Sequence, residues 1–192
     1  MALVQPNSGD ALVVVDVQND FLPGGALAVP GGDAVLAPLN RYLFLFGERR
    51  LPIVASRDWH PADHCSFVDQ GGPWPSHCVA GSRGAAFATD LELPCAATIV
   101  SKGTEADREA YSAFEGTGLD ELLRRLGVHR LWIGGLATDY CVLHTVLDAR
   151  RFGFEVLLLT DAIRGVDATA GDCERAVAAM IEAGARPMTL EQ

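Results

Sequence analysis

Four apolar runs in this chain each lead to a side chain that can move a proton, hold a metal or attack a carbon. Residues 11–15 end at Asp16, 51–56 lead to Asp58 and His60, 98–101 end at Lys102, and 131–134 lead through a turn to Cys141. The address of Cys141 matters most. Thr138 reads as an N-cap for a helix over 139–152, with Val142, Thr145, Val146 and Ala149 on one face. Cys141 then lies in the first helical turn. The N–H groups there lack intrahelical partners and the helix dipole favours negative charge, which suits a thiolate or a developing oxyanion. Taken alone, Cys141 reads more readily as a small buried apolar residue.

Asp16 and Lys102 change that balance. A free thiol has a pKa of about 8.5, and a neighbouring ammonium lowers it. An aspartate can take the thiol proton and pass it to a leaving amine, so Asp, Lys and Cys suffice for acyl transfer without a histidine base. Asp58-x-His60 opens a metal site that His77 or His64 could complete. Cys65 and Cys78 each follow a histidine directly and make poor additional ligands, and a wet polar loop is the plain alternative for the whole segment. With a carboxylate and imidazoles, zinc is the first candidate, and manganese and iron(II) stay open. Phe21, Trp74 and Tyr111 fall in segments that should open on the same rim, where they could sandwich a flat ring or simply pack a loop.

The elements that must carry these groups follow from periodicity. Residues 11–15 form a continuous β-branched run, as in a strand covered on both faces. Asp33 reads as an N-cap, with Val35, Leu36, Leu39, Tyr42, Leu43 and Phe46 at helical spacing behind it. Strands are expected over 51–56, 98–101, 131–134, 154–160 (ending at Asp161) and 187–190, and helices over 119–126 and 168–183. The long segment 61–94 is rich in Gly, Pro, Ser and His, and such loops are usually functional. Alternating strands and helices predict a mostly parallel sheet with helices on both faces. Ligands bind such sheets outside the carboxyl ends of their strands, where the reactive groups are gathered.

The totals set limits. The 192 residues suffice for one α/β domain, read here as a single domain over 1–192. A net charge of −10 speaks against nucleic-acid and anionic-membrane surfaces. Five cysteines, widely spaced and without a CxxC, are not a disulfide framework. Residues 1–10 do not read as a signal peptide, and no apolar run approaches the ~20 residues of a membrane span. A cytoplasmic protein is the expectation. Homo-oligomer formation is left open.

The segments Asp16-Val17-Gln18-Asn19-Asp20-Phe21, Asp58-Trp59-His60-Pro61, Trp74-Pro75-Ser76-His77-Cys78-Val79-Ala80-Gly81, Val100-Ser101-Lys102-Gly103-Thr104 and 135–142 resemble, in order, those of the nicotinamidase/pyrazinamidase family of isochorismatase-like cysteine hydrolases. The resemblance spans about 11–162. It implies a three-layer α/β/α fold around a six-stranded Rossmann-like sheet of order 3-2-1-4-5-6. It also implies hydrolysis of nicotinamide and pyrazinamide to the acid and ammonia through a cysteine thioester, in NAD salvage. Carried over, it makes Cys141 the nucleophile, Asp16 the proton shuttle and Lys102 the group favouring thiolate. Asp58, His60 and His77 become the metal ligands, with His64 a further candidate. Backbone N–H groups of Ala137 and Cys141 become the oxyanion hole beside a cis Leu136–Ala137 peptide. Phe21, Trp74 and Tyr111 become the ring pocket. Tyr140 receives no role. Rival readings are an amidase for a carbamoyl or ureido compound, and a redox-responsive module without turnover. Two points are left for geometry: whether a Thr138 cap competes for the Cys141 N–H, and whether Lys102 can reach Cys141 from an outer strand.

Overall fold

The computed structural model describes residues 5–190; residues 1–4, part of the stretch read for a leader, and 191–192 lie outside the described residues. Six strands form one parallel sheet: β1 (Asp10–Val15), β2 (Ile53–Asp58), β3 (Thr98–Lys102), β4 (Arg130–Leu136), β5 (Glu155–Arg164) and β6 (Arg186–Met188). Their order is β3-β2-β1-β4-β5-β6, the arrangement the resemblance implied. The expected "mostly parallel" sheet is parallel at every pairing.

Alternation along β1 divides the core. Ala11, Val13 and Val15 face one side, where α2 (Leu119–Arg125), α3 (Leu143–Arg151) and α4 (Asp172–Glu182) pack with Leu123, Val146 and Met180. Leu12 and Val14 face the other side, against Leu39, Tyr42 and Phe46 of α1 (Leu36–Glu48). Period-two side chains on a strand and an i, i+3/i+4 stripe on each helix thus produce three layers. No helix among the described residues is long and apolar enough to cross a membrane.

Several local expectations are corrected. The helix expected over 139–152 begins as a wide π turn, Thr138–Val142, and becomes α-helical only as α3. Its N-cap position is Ala137, without a side-chain cap, so Thr138 is not the cap and does not compete for the Cys141 N–H. Asp33 lies inside a 3-10 turn, Gly32–Val35, rather than at a cap. The helix expected from 168 starts at Asp172, after Gly171 in a left-handed conformation. Strand β5 does not stop at Asp161: its pairing with β4 shifts register between Ile133 and Gly135, and the strand resumes to Arg164. Asp161 therefore turns away from the rim and accepts hydrogen bonds from the Tyr42 hydroxyl (2.9 Å) and the Leu190 N–H (3.4 Å).

Candidate active site

Strand order reverses between β1 and β4, which is where a doubly wound sheet opens a crevice. Asp16 follows β1 and Cys141 follows β4, so they face each other across that switch point. Gly135 makes the approach feasible: a Cβ there would lie 2.1 Å from the Val15 carbonyl oxygen. The peptide Leu136–Ala137 is cis. Lys102, at the end of edge strand β3, reaches past β2. Its Nζ lies 2.9 Å from Asp16 Oδ2, 2.5 Å from Asp58 Oδ1 and 3.4 Å from Cys141 Sγ, and donates also to the Ala110 carbonyl at 3.2 Å. Asp16, Asp58, Lys102 and Cys141 are all buried.

Charge sets their protonation. Burial pushes the Cys141 thiol well up; Lys102 pulls it down, but Asp16 and Asp58 push it up again. The expected lowering by Lys102 is therefore present but outweighed, first by burial and then by the two carboxylates that share the ammonium. Burial also raises Asp16, against the pull of Lys102. Lys102 stays protonated, since the two carboxylates outweigh its burial. A neutral thiol beside a carboxylate of raised proton affinity can hand over its proton without changing the net charge of the buried cluster.

A second cluster adjoins the first through Asp58. Donor atoms of Asp58, His60 and His77 lie within 4.8 Å of one another. His60 Nδ1 faces the Gly103 carbonyl at 2.9 Å and His77 Nδ1 faces the Pro75 carbonyl at 2.8 Å. A carbonyl only accepts, so in each ring Nδ1 carries the hydrogen, and in the neutral ring Nε2 presents a lone pair. That is the arrangement of a metal-binding histidine fixed from behind. Gly103 permits it, since a Cβ there would come within 2.5 Å of the His60 ring. The donor set fits a divalent ion such as zinc. His64 differs. Its Nδ1 accepts from the Ser66 N–H at 3.3 Å, and its Nε2 faces the Arg108 carbonyl at 3.0 Å, so neither nitrogen offers a lone pair in this arrangement.

Both clusters open on one pocket, walled by Phe21, Trp74 and Tyr111 and also by Tyr140 and Glu109. Trp74 meets Tyr140 edge-on at 5.0 Å and its Nε1 donates to the Tyr111 hydroxyl at 3.2 Å. Of the described residues lining the pocket, none is lysine or arginine. Sequence reasoning also missed two supports. Gln18 brackets Asp58, accepting from its N–H and donating to its carbonyl, both at 2.8 Å. Ser56 donates to Asp16 Oδ1 at 2.7 Å. The available signal was their polarity: each is a fully buried polar side chain within or beside a strand.

Comparison with known proteins gives a consistent set of relatives. The model of the isochorismatase domain matches residues 10–192. A nicotinamidase of Escherichia coli (strain K12) is 41% identical, over 94% of this chain and 94% of its own. A crystal structure of the pyrazinamidase of Pyrococcus horikoshii in complex with zinc superposes with a TM-score of 0.91 at 51% identity, covering 94% of this chain and 99% of its own. PnC1 from L. infantum, in complex with nicotinate, gives 0.91 at 38% identity, covering 99% and 98%.

Proposed function

The chain belongs to the isochorismatase family, and from that premise we propose that it is a nicotinamidase/pyrazinamidase: a single catalytic domain that hydrolyses nicotinamide and pyrazinamide to the acid and ammonia and so returns nicotinamide to NAD salvage. One observation carries the reading: a thiol, a carboxylate and an ammonium meet at Cys141, Asp16 and Lys102, and Asp58 joins that cluster to a histidine pair preset to bind metal.

Asp58, His60 and His77 would hold a divalent ion, zinc first, which would supply Lewis acidity beside the ring pocket. The aromatic walls Phe21, Trp74 and Tyr111 hold the ring flat, which places the carboxamide carbon over Cys141. The thiol proton passes to Asp16 as Sγ bonds to that carbon, and the carbonyl electron pair moves to oxygen. The N–H groups of Ala137 and Cys141 receive the oxyanion. As the tetrahedral species collapses, the C–N bond breaks, Asp16 gives its proton to nitrogen, and ammonia leaves a thioester on Cys141. Water then attacks, its proton going to Asp16, and collapse breaks the C–S bond to release the acid. The proton returns to the sulfur. Lys102 keeps its charge throughout and steadies the thiolate during its brief existence.

The test is ammonia release from nicotinamide, set against a panel of carbamoyl and ureido compounds, with and without chelator. Release from nicotinamide and pyrazinamide, lost on chelation and restored by zinc, manganese or iron(II), is expected. Preferential release from an open-chain ureido compound would transfer the site to another substrate class.

A further inference from the structure

The two oxygens of the Asp16 carboxylate have different surroundings. Oδ1 accepts from the Ser56 hydroxyl at 2.7 Å. Oδ2 is buried with no aligned hydrogen-bond donor, the one such side-chain oxygen or nitrogen among the described residues, although Lys102 Nζ lies 2.9 Å away. The lysine explains this. Lys102 Nζ makes aligned contacts to Asp58 Oδ1, the Ala110 carbonyl and Cys141 Sγ, as many as an ammonium has protons. The contact to Asp16 is an ion pair. The proton left for Oδ2 is that of the Cys141 thiol, whose sulfur lies within 4.8 Å of the Asp16 carboxylate.

Ser56 grips the same residue a second way. The Asp16 N–H donates to the Ser56 carbonyl at 3.2 Å, and Asp16 itself adopts a left-handed φ of 48° just past the end of β1. Backbone and carboxylate are thus both referred to one residue of β2. Without the hydroxyl, only Lys102 would orient the carboxylate. The carboxylate could swing to align with Lys102, which offers the stronger donor, and turn away from the thiol.

We propose that Ser56 is a positioning residue for the proton transfer: its hydroxyl holds Oδ1 so that Oδ2 stays committed to Cys141. The proposal rests on the hydrolase reading above for its substrate, but not for the thiol–carboxylate step.

The experiment compares Ser56→Thr with Ser56→Val in the metal-loaded enzyme, a pair of equal shape that differs in the hydroxyl. Two rates are read: kcat on nicotinamide, and alkylation of Cys141 by iodoacetamide, which needs the thiol proton removed but no turnover. Ser56→Val should lose about ten- to a hundredfold in kcat, with KM and metal content near wild type and a parallel loss in alkylation rate. Ser56→Thr should restore both. Equal rates in Thr and Val variants that melt alike would overturn the proposal, as would a Val variant within twofold of wild type. If wild type released no ammonia from nicotinamide while alkylation still tracked the hydroxyl, the substrate reading would fall and the positioning role would stand.

Discussion

Asp16, Asp58, Lys102 and Cys141 stand at or just past the ends of sheet strands, whereas His77, Trp74 and Tyr111 hang from long segments with little regular structure. The first group is placed by parallel pairing, in which Asp58 and Lys102 sit in register as neighbours on β2 and β3. The second is placed by scattered polar ties. Residue 20 shows how. Asp20 Oδ2 accepts the Cys78 N–H at 2.7 Å, directly after His77, and the Asp20 N–H donates to the Gly84 carbonyl at 3.0 Å. Asn19 holds the carbonyls of Arg83 and Ala86 in the same way. A sheet fixes the chemistry of the thiol, and a short polar motif after β1 fixes the loop that completes the metal and ring side. The two sides should therefore fail independently.

The largest effect tests that independence from the thiol side. Cys141→Ala should reduce ammonia release by about 10⁴-fold or more, since a nucleophile removed from a coupled set costs nearly the whole chemical step. Metal content should not change, as Cys141 is outside the Asp58, His60 and His77 cluster. A Cys141→Ala protein that lost its metal would merge the two sides into one. From the other side, His60→Ala should remove bound metal and more than about 100-fold of activity, while iodoacetamide still alkylates Cys141. Full metal occupancy in that variant would displace the ligand set.

The contrast also governs how far the sequence could be read. Asp16, Asp58 and Lys102 each end a β-branched run, and a parallel sheet sends every such end to one rim, so their convergence follows from strand periodicity. Strand order does not, and neither does the reach of Lys102 across β2; the first came from resemblance alone. Tyr140 received no role because it stands at a position where members of the resembled family differ. The π turn Thr138–Val142 is wider than an α turn and brings both side chains to the pocket. No local pattern marks such a turn. Ser56 and Gln18 stand beside other polar residues, at Arg57-Asp58 and Asn19-Asp20, and only coordinates reveal that each is tied to a site aspartate. The loop residues were identified by type, as histidine and aromatic side chains, but their mutual placement depends on ties to Asn19 and Asp20 with large separations in sequence.

Those ties supply the next test. Asp20→Ala removes the acceptor of the Cys78 N–H and should weaken metal binding by about ten- to a hundredfold, the usual effect of an outer-shell partner. The rate of Cys141 alkylation should stay within twofold of wild type, because the strand ends keep their pairing. An equal fall in both would mean that the loop also holds the thiol side.

The smallest effect concerns charge at the mouth. Glu109 lines the pocket, which lacks lysine and arginine in its described lining. Its charge reaches the wall: burial raises the Tyr111 phenol above its usual range, and Glu109 adds to the rise. A neutral carboxamide is indifferent to such a charge, whereas the product acid is an anion at neutral pH. At a separation of several ångströms, and with partial solvent screening, the repulsion amounts to about 1 kcal/mol. Glu109→Gln should then bind nicotinate about three- to tenfold more tightly than wild type at low salt. Because Glu109 is partly exposed, added salt should shrink the difference. Nicotinamide binding, measured in a Cys141→Ala background, should shift by less than twofold. If the two ligands responded equally to the substitution, the loop side would contribute shape alone, and discrimination between amide and acid would have to come from the metal cluster.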